Sequence, residues 1–151
     1  MLQLTHRTLV VIILSVVGAL TVPALGQVIN EDFKVLPNDG ESQDRFGHSI
    51  AIDNGIMVVG SRFADESGPD SGSAYLFDAS SGAQIMELVP DDGFSGQYFG
   101  FSVAIDNGVV AVGAWNDMDN GPESGAAYLF DASTGDQLFK LLADDGEARD
   151  R

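Results

Sequence analysis

Two pentapeptides, Gly47-His48-Ser49-Ile50-Ala51 and Gly100-Phe101-Ser102-Val103-Ala104, hold a serine among small residues in the manner of a nucleophile elbow. A nucleophilic serine needs a histidine base within reach and a sharp strand-to-helix turn to expose it. Neither requirement is met. Beyond residue 26 the chain has a single histidine, His48, whose counterpart in the second pentapeptide is Phe101. Both serines also fall in the middle of alternating apolar runs that read as strand. His48 reads as a packing substitution, and no catalytic residue is assigned.

Metal chemistry has one candidate in the sequence, the segment Asn116-Asp117-Met118-Asp119-Asn120-Gly121-Pro122-Glu123. Alternating carboxylates beside a glycine, here Asp117, Asp119 and Glu123, could wrap a hard cation if carbonyls and water completed the shell. The register lacks an Asp or Asn at the fifth position, before the glycine of a good calcium loop, and the first copy of the segment has Ala64 and Glu66 in place of Asp117 and Asp119. It therefore reads as a solvated acidic loop. Calcium is the one cofactor left open, and no other is expected.

The whole composition narrows the partners. With 23 acidic residues against 7 Lys and Arg among 151, the formal charge is −16, so attraction to nucleic acid or an anionic membrane is excluded. Cysteine is absent, which removes disulfides, thiolate chemistry and Cys-ligated zinc. At the N-terminus, Arg7 precedes an apolar run from Leu9 to Val22 and the small-residue site Ala24-Leu25-Gly26. This is the pattern of a secretory signal spanning 1–26, with cleavage after Gly26. A short lead-in at 27–33 follows, and the expected location of the mature protein is secreted or at the cell surface, with no membrane segment of its own.

The elements that must carry any site come from an internal repeat. Phe46-Gly47 matches Phe99-Gly100, Asp53-Asn54-Gly55 matches Asp106-Asn107-Gly108, and Tyr75-Leu76-Phe77-Asp78 matches Tyr128-Leu129-Phe130-Asp131, at a constant offset of about 53 residues. The units are placed at 34–86 and 87–139, with the start of a third at 140–151, where the chain stops inside a repeat and is expected to be the opening of a longer propeller. Within one unit, Phe46 to Asp53 reads as a strand of period two, Asn54-Gly55 as a type I′ turn, Ile56 to Gly60 as the returning strand, and Gly72 to Asp78 and Ala83 to Val89 as two more. Four antiparallel strands in a tandem unit of this length predict an all-β fold of β-propeller blades, two complete and a third begun. Small residues Gly47, Ser49 and Ala51 on one strand face suit close packing between blades, with Phe46 and Phe99 filling the space.

The pairing of Phe-Gly with Val-Val-Gly-Ser and Ala-Val-Gly-Ala, followed by Ser-Gly-Ser-Ala-Tyr-Leu-Phe-Asp and Ser-Gly-Ala-Ala-Tyr-Leu-Phe-Asp, resembles the FG-GAP repeat of integrin α-chain propellers and of many exported bacterial proteins. The resemblance covers Lys34 to Arg151 and implies an extracellular propeller for adhesion or ligand binding, not an enzyme. The proline of the family motif is replaced by Arg62 and Trp115. The hairpin where integrin-like units carry a calcium loop is reduced to Asp-Asn-Gly, too few oxygens for calcium.

Loops on a rigid β scaffold are where binding residues gather. The expected ligand-binding loops are 62–71 and 115–124, with Arg62, Asp65, Asp70, Trp115, Asp117 and Asp119 as contact residues. Trp115 reads either as an exposed contact or as packing against the next blade. The partner is expected to be an extracellular protein or polysaccharide, or further blades of the same propeller, with self-association through open blade faces. Two other readings compete. Asp131 to Leu141 also resembles a blade of quinone-dependent dehydrogenases, although Met86 and Phe139 stand where those carry tryptophan, and a truncated product would have no independent function.

Overall fold

The computed structural model describes residues 34–144. The signal and lead-in segments expected at 1–33 lie outside the described residues, as does most of the third repeat. The described chain forms eight strands: β1 (Phe46–Asp53), β2 (Ile56–Ser61), β3 (Ser73–Asp78), β4 (Gln84–Leu88), β5 (Phe99–Asp106), β6 (Val109–Ala114), β7 (Ala126–Asp131) and β8 (Gln137–Leu141). They make two four-stranded antiparallel sheets, β1-β2-β3-β4 and β5-β6-β7-β8, each ordered as in the chain. Among the described residues there is no helix. These are the two propeller blades expected from the repeat. β4 and β8 run across the 86/87 and 139/140 divisions, so the blades extend past the sequence repeats.

Local chemistry sets the turns. Asn54 and Gly55 have φ of 46° and 81°, and Asn107 and Gly108 have 48° and 81°, the two left-handed positions of a type I′ hairpin. At the next turn Asp78 Oδ1 accepts hydrogen bonds from the backbone and hydroxyl groups of Ser80 and Ser81, which hold its carboxyl down at about 2. Asp131 Oδ1 likewise accepts from the backbone and hydroxyl of Ser133 and from the backbone N–H of Thr134. Such side-chain acceptors stabilise a turn by replacing the backbone partners it lacks.

The Phe-Gly pair departs from the expected straight alternation. Phe46 lies opposite Ser61 while Ser49 lies opposite Gly60, so Gly47 and His48 form a bulge, and β5 has the same irregularity after Phe99. Gly47 supplies the positive φ of 85° that turns the strand. Because two residues are inserted, Phe46 keeps the face of Ile50 and Ile52, but His48 leaves it and lays its ring 5.2 Å from that of Phe101.

The bulge lets the two sheets meet. Val58, Ala74, Leu76 and Leu88 from one face of the first sheet form a single core with Phe99, Val110, Val112, Tyr128 and Phe130 from the facing side of the second. Phe99 is completely buried and meets Tyr128 and Phe130 edge to face at 5.5 and 5.7 Å. Burying each such ring contributes about 1.5–3 kcal/mol, so the seam is the main store of stability. The other face of the first sheet carries Phe46, Val59, Tyr75 and Phe77 with Ile50 and Ile52, the last two 62% and 65% exposed. On the far side of the second sheet Phe139 is 63% exposed.

Backbone contact draws the seam tight. Phe99 N–H donates to Ser71 O at 2.9 Å and Ser49 Oγ to Gly100 O at 2.9 Å. A Cβ on Gly60 would stand 2.1 Å from Gly100 O, and one on Gly100, whose φ is +81°, 2.2 Å from Ser73 O. We expect Gly100→Ala to cost at least about 1–3 kcal/mol, the range for overpacking. Hydrogen exchange should show Phe99 N–H losing protection while amides of the β6–β7 ladder keep theirs. Unchanged exchange at Phe99 would mean that the seam accommodates a side chain.

Candidate functional site

In an up-and-down blade the β2–β3 loop and the β4–β5 connection emerge at the same end, opposite the Asn-Gly hairpins. The two long loops, 62–72 and 115–125, therefore stand side by side on adjacent blades. Each is closed on itself: Gly72 N–H bonds Ala64 O at 2.8 Å and Gly125 N–H bonds Asp117 O at 3.0 Å. Ser71 and Ser124 add hydroxyl bonds to the same two carbonyls. The rim is a set of braced loops.

Arg62 and Trp115, which occupy equivalent repeat positions, converge in one groove of about 340 Å³ with Phe63, Tyr98 and Phe101. Trp115 stacks on Phe101 with centroids 6.2 Å apart and approaches Tyr98 at 5.6 Å. The Arg62 guanidinium lies 4.6 Å from the Phe63 ring centre and 5.5 Å from that of Phe101, and Arg45 covers Phe63 at 5.2 Å. Trp115 is half-buried against Tyr98 and Phe101 of its own blade and lines the groove. Burial, then the charges of Arg62 and Arg45, lower the pKa of His48. Ser49 faces the seam, where its hydroxyl is bonded to Gly100 O.

The acidic residues divide into separate clusters. Asp65 Oδ1 accepts the Asp70 N–H at 2.7 Å, closing the tip of the first loop, and both line a second hollow with Phe63 and Tyr98. Asp117 is completely buried beneath the second loop, where its Oδ2 accepts from Gln97 Nε2 at 2.9 Å and Tyr128 Oη at 2.8 Å. Lys140 Nζ stands among Asp92, Asp119 and Asp117 at 2.6, 2.7 and 3.0 Å. Asp117, Asp119 and Glu123 thus do not gather as one set of cation ligands; an ammonium group already bridges the first two. Among the described residues, the carboxylates that do converge with no lysine are Asp39, Glu66 and Glu87.

Burial alone would raise the Asp117 carboxyl, but bonds from Gln97, Lys140, the Asp119 amide and Tyr128 bring it below its ordinary value. Lys140 is likewise opposed by burial and held above its ordinary value by Asp119, Asp92, Tyr128 and Asp117. Sequence reasoning passed over Lys140, Gln97, Tyr98 and Phe63. The signal was present for one of them: Lys140 stands where the first repeat has Glu87, a charge reversal at a repeated position.

Two tandem antiparallel blades sharing a glycine-tight seam define the chain as part of a β-propeller. The family model described as FG-GAP repeat matches residues 29–77 and 83–130, and the chain belongs to that family. Among solved structures, it is similar to Sqt1 of Saccharomyces cerevisiae at 19% identity and TM-score 0.48, over 76% of this chain and 25% of that one. It is also similar to the computationally designed Ika8 protein at 15% identity and TM-score 0.34, over 68% of this chain and 38% of that one. The chain therefore spans well under half the length of either. No curated protein matches significantly.

Asp117→Ala should cost about 1–3 kcal/mol, because Gln97 and Tyr128 would each lose a buried acceptor. A carboxyl lowered on folding contributes stability above its unfolded value, near 3.8, and that stability is lost as pH falls through the lower folded value. Thermal midpoints measured from pH 7 to pH 2 should therefore fall less steeply below about pH 4 in Asp117→Asn than in the parent. Identical acid limbs would show that Asp117 is not linked to folding.

Proposed function

We propose that the chain is an exported, non-catalytic binding module, secreted or held at the cell surface, whose rim loops engage an extracellular protein. The observation that supports this most directly is the Arg62–Phe63–Tyr98–Phe101–Trp115 groove. Trp, Tyr and Arg are the residues that dominate protein–protein hot spots, because they combine large apolar area with a directional polar group. In a chain of formal charge −16, the paired guanidinium groups of Arg45 and Arg62 make this a local cationic exception, suited to an acidic or aromatic side chain of a partner. The loops carrying the groove are braced by their own hydrogen bonds, which lowers the ordering cost of binding.

A polysaccharide is the second reading, favoured by the flat stacked pair of Phe101 and Trp115. Adhesion would follow from either partner. The export step rests on the N-terminal pattern of residues 1–26.

Trp115 is the only tryptophan, so its fluorescence reports on the groove. Secreted protein of the source organism, fractionated into polypeptide and polysaccharide, should shift that emission with the polypeptide fraction. Trp115→Ala and Arg62→Ala should each weaken capture of the same component by about tenfold or more, the loss of a moderate hot spot. A component bound equally well by both variants would place recognition elsewhere on the molecule.

A further inference from the structure

The seam shows what each face of a blade accepts. In it the leucine face of the first sheet, carried by Ala74, Leu76 and Leu88, receives the ring face of the second, carried by Phe99, Tyr128 and Phe130. Each face has a counterpart on the other blade at the repeat offset. Ala127, Leu129 and Leu141 of the second sheet match the leucine face, and Phe46, Tyr75 and Phe77 of the first sheet match the ring face.

The second leucine face is open and keeps the form of a docked one. Leu88 is 1% exposed in the seam, whereas Leu141 is 48% exposed, with Val109 and Phe139 exposed on the same face. A Cβ on Gly60 or Gly72 would run into the carbonyl of Gly100 or Phe99 across the seam, but one on the matching Gly113 or Gly125 meets atoms of its own blade alone. The backbone is bare there for a neighbour to approach. Ser49 donates its hydroxyl to Gly100 O and Asp53 accepts the Asn107 amide, both across the seam, while the matching Ser102 and Asp106 are exposed. On the first blade the ring face leaves Ile50 and Ile52 exposed, where Val103 and Ile105 of the second blade pack into the seam.

The loops fit the same pairing. Across the seam Arg62 of the first long loop lies over Phe101 of the second blade. Trp115 matches Arg62, while His48 and Arg45 match Phe101 and Tyr98. Setting the open leucine face against the ring face of another molecule brings Trp115 of one to Arg45 and His48 of the other. The cation and the ring exchange sides, and their attraction is kept.

We propose that the open leucine face of the second blade is an interaction surface for a second copy of this chain, which docks on it with the ring face of its first blade. The internal seam is then repeated between molecules. Such a contact is heterologous, one surface meeting a different one, so each added copy offers the same open face until a ring closes. Propellers close with about four to eight blades, and with two blades in each copy a closed ring holds about two to four copies. The aromatic groove lies at the seam within each copy and is not part of this face.

Sedimentation velocity of the purified protein over a range of concentrations tests this. A discrete species of about two to four copies is expected, and its share should rise with salt, because copies of formal charge −16 repel one another. Phe139→Lys removes one half of the contact and Ile52→Lys the other. Both alter exposed side chains and lower the net negative charge, so each variant should keep the circular dichroism of the parent and yet sediment as a monomer. If Phe139→Lys does not fold, Val109→Lys on the same face takes its place. An equimolar mixture of the two variants should recover a dimer and nothing larger, since one intact leucine face then meets one intact ring face. A parent that stays monomeric at every concentration and salt, association that survives both substitutions, or a mixture that forms no dimer would overturn the proposal.

Discussion

The close approach of Gly60, Gly100 and the Ser73 carbonyl is the constraint on which the rest of the molecule depends. A face-to-face pair of sheets usually stands about 10 Å apart, with side chains between. Here backbone meets backbone at Gly60 and Gly100, Gly100 and Ser73, and Gly72 and Phe99, while the Phe99 ring reaches Leu76 and Phe130 in the shared core. This contact explains why the Phe-Gly pair is a bulge: Phe99 must reach into the core while Gly100 presses its carbonyl against β2. A regular strand would send them to opposite faces without the sharp turn that a positive φ supplies.

Once the seam is fixed, the rim follows. The long loop after β2 leaves the first blade beside the bulge of the second, so Arg62 lies over Phe101, and Tyr98 of the second blade lies between Phe63 and Trp115. The aromatic groove is thus a product of blade adjacency and could not exist in one isolated blade. The charged centres, by contrast, belong to single blades: Lys140 serves the loop of its own sheet, and Glu87 its own. The first kind of site depends on how blades dock and the second on what each repeat has substituted.

Repetition made the fold legible and concealed part of the site. Turn chemistry at Asn54-Gly55 and the period of the strands are local properties, and they appear in the structure as read, within a residue or so at strand ends. His48 was read into the alternation with Phe46, because period two cannot reveal a two-residue bulge that restores parity afterwards. The groove was half visible: Arg62 and Trp115 were singled out as departures from the family motif, while Tyr98 and Phe63 lie in irregular segments whose positions depend on the seam. Lys140 was invisible to motif reasoning, since a lone lysine on a strand has no spacing signature. Only its alignment with Glu87 marks it.

That contrast between blades is more informative than either blade alone. Within a tandem repeat, a position facing the same neighbours in the same geometry should experience the same electrostatics, so a charge reversal there needs compensation nearby. The second blade compensates covalently, with an ammonium on β8 whose bonds to Asp92, Asp117 and Asp119 outweigh its burial. The first blade has deleted one carboxylate at Ala64 and introduced another at Glu87, which conserves the acidity and moves it to the strand. In this blade no lysine or arginine side chain ion-pairs with Asp39, Glu66 or Glu87 among the described residues; burial raises the Glu87 carboxyl, helped by the charges of Asp39 and Glu66, while hydrogen bonds from Ser73 and Tyr75 oppose the rise.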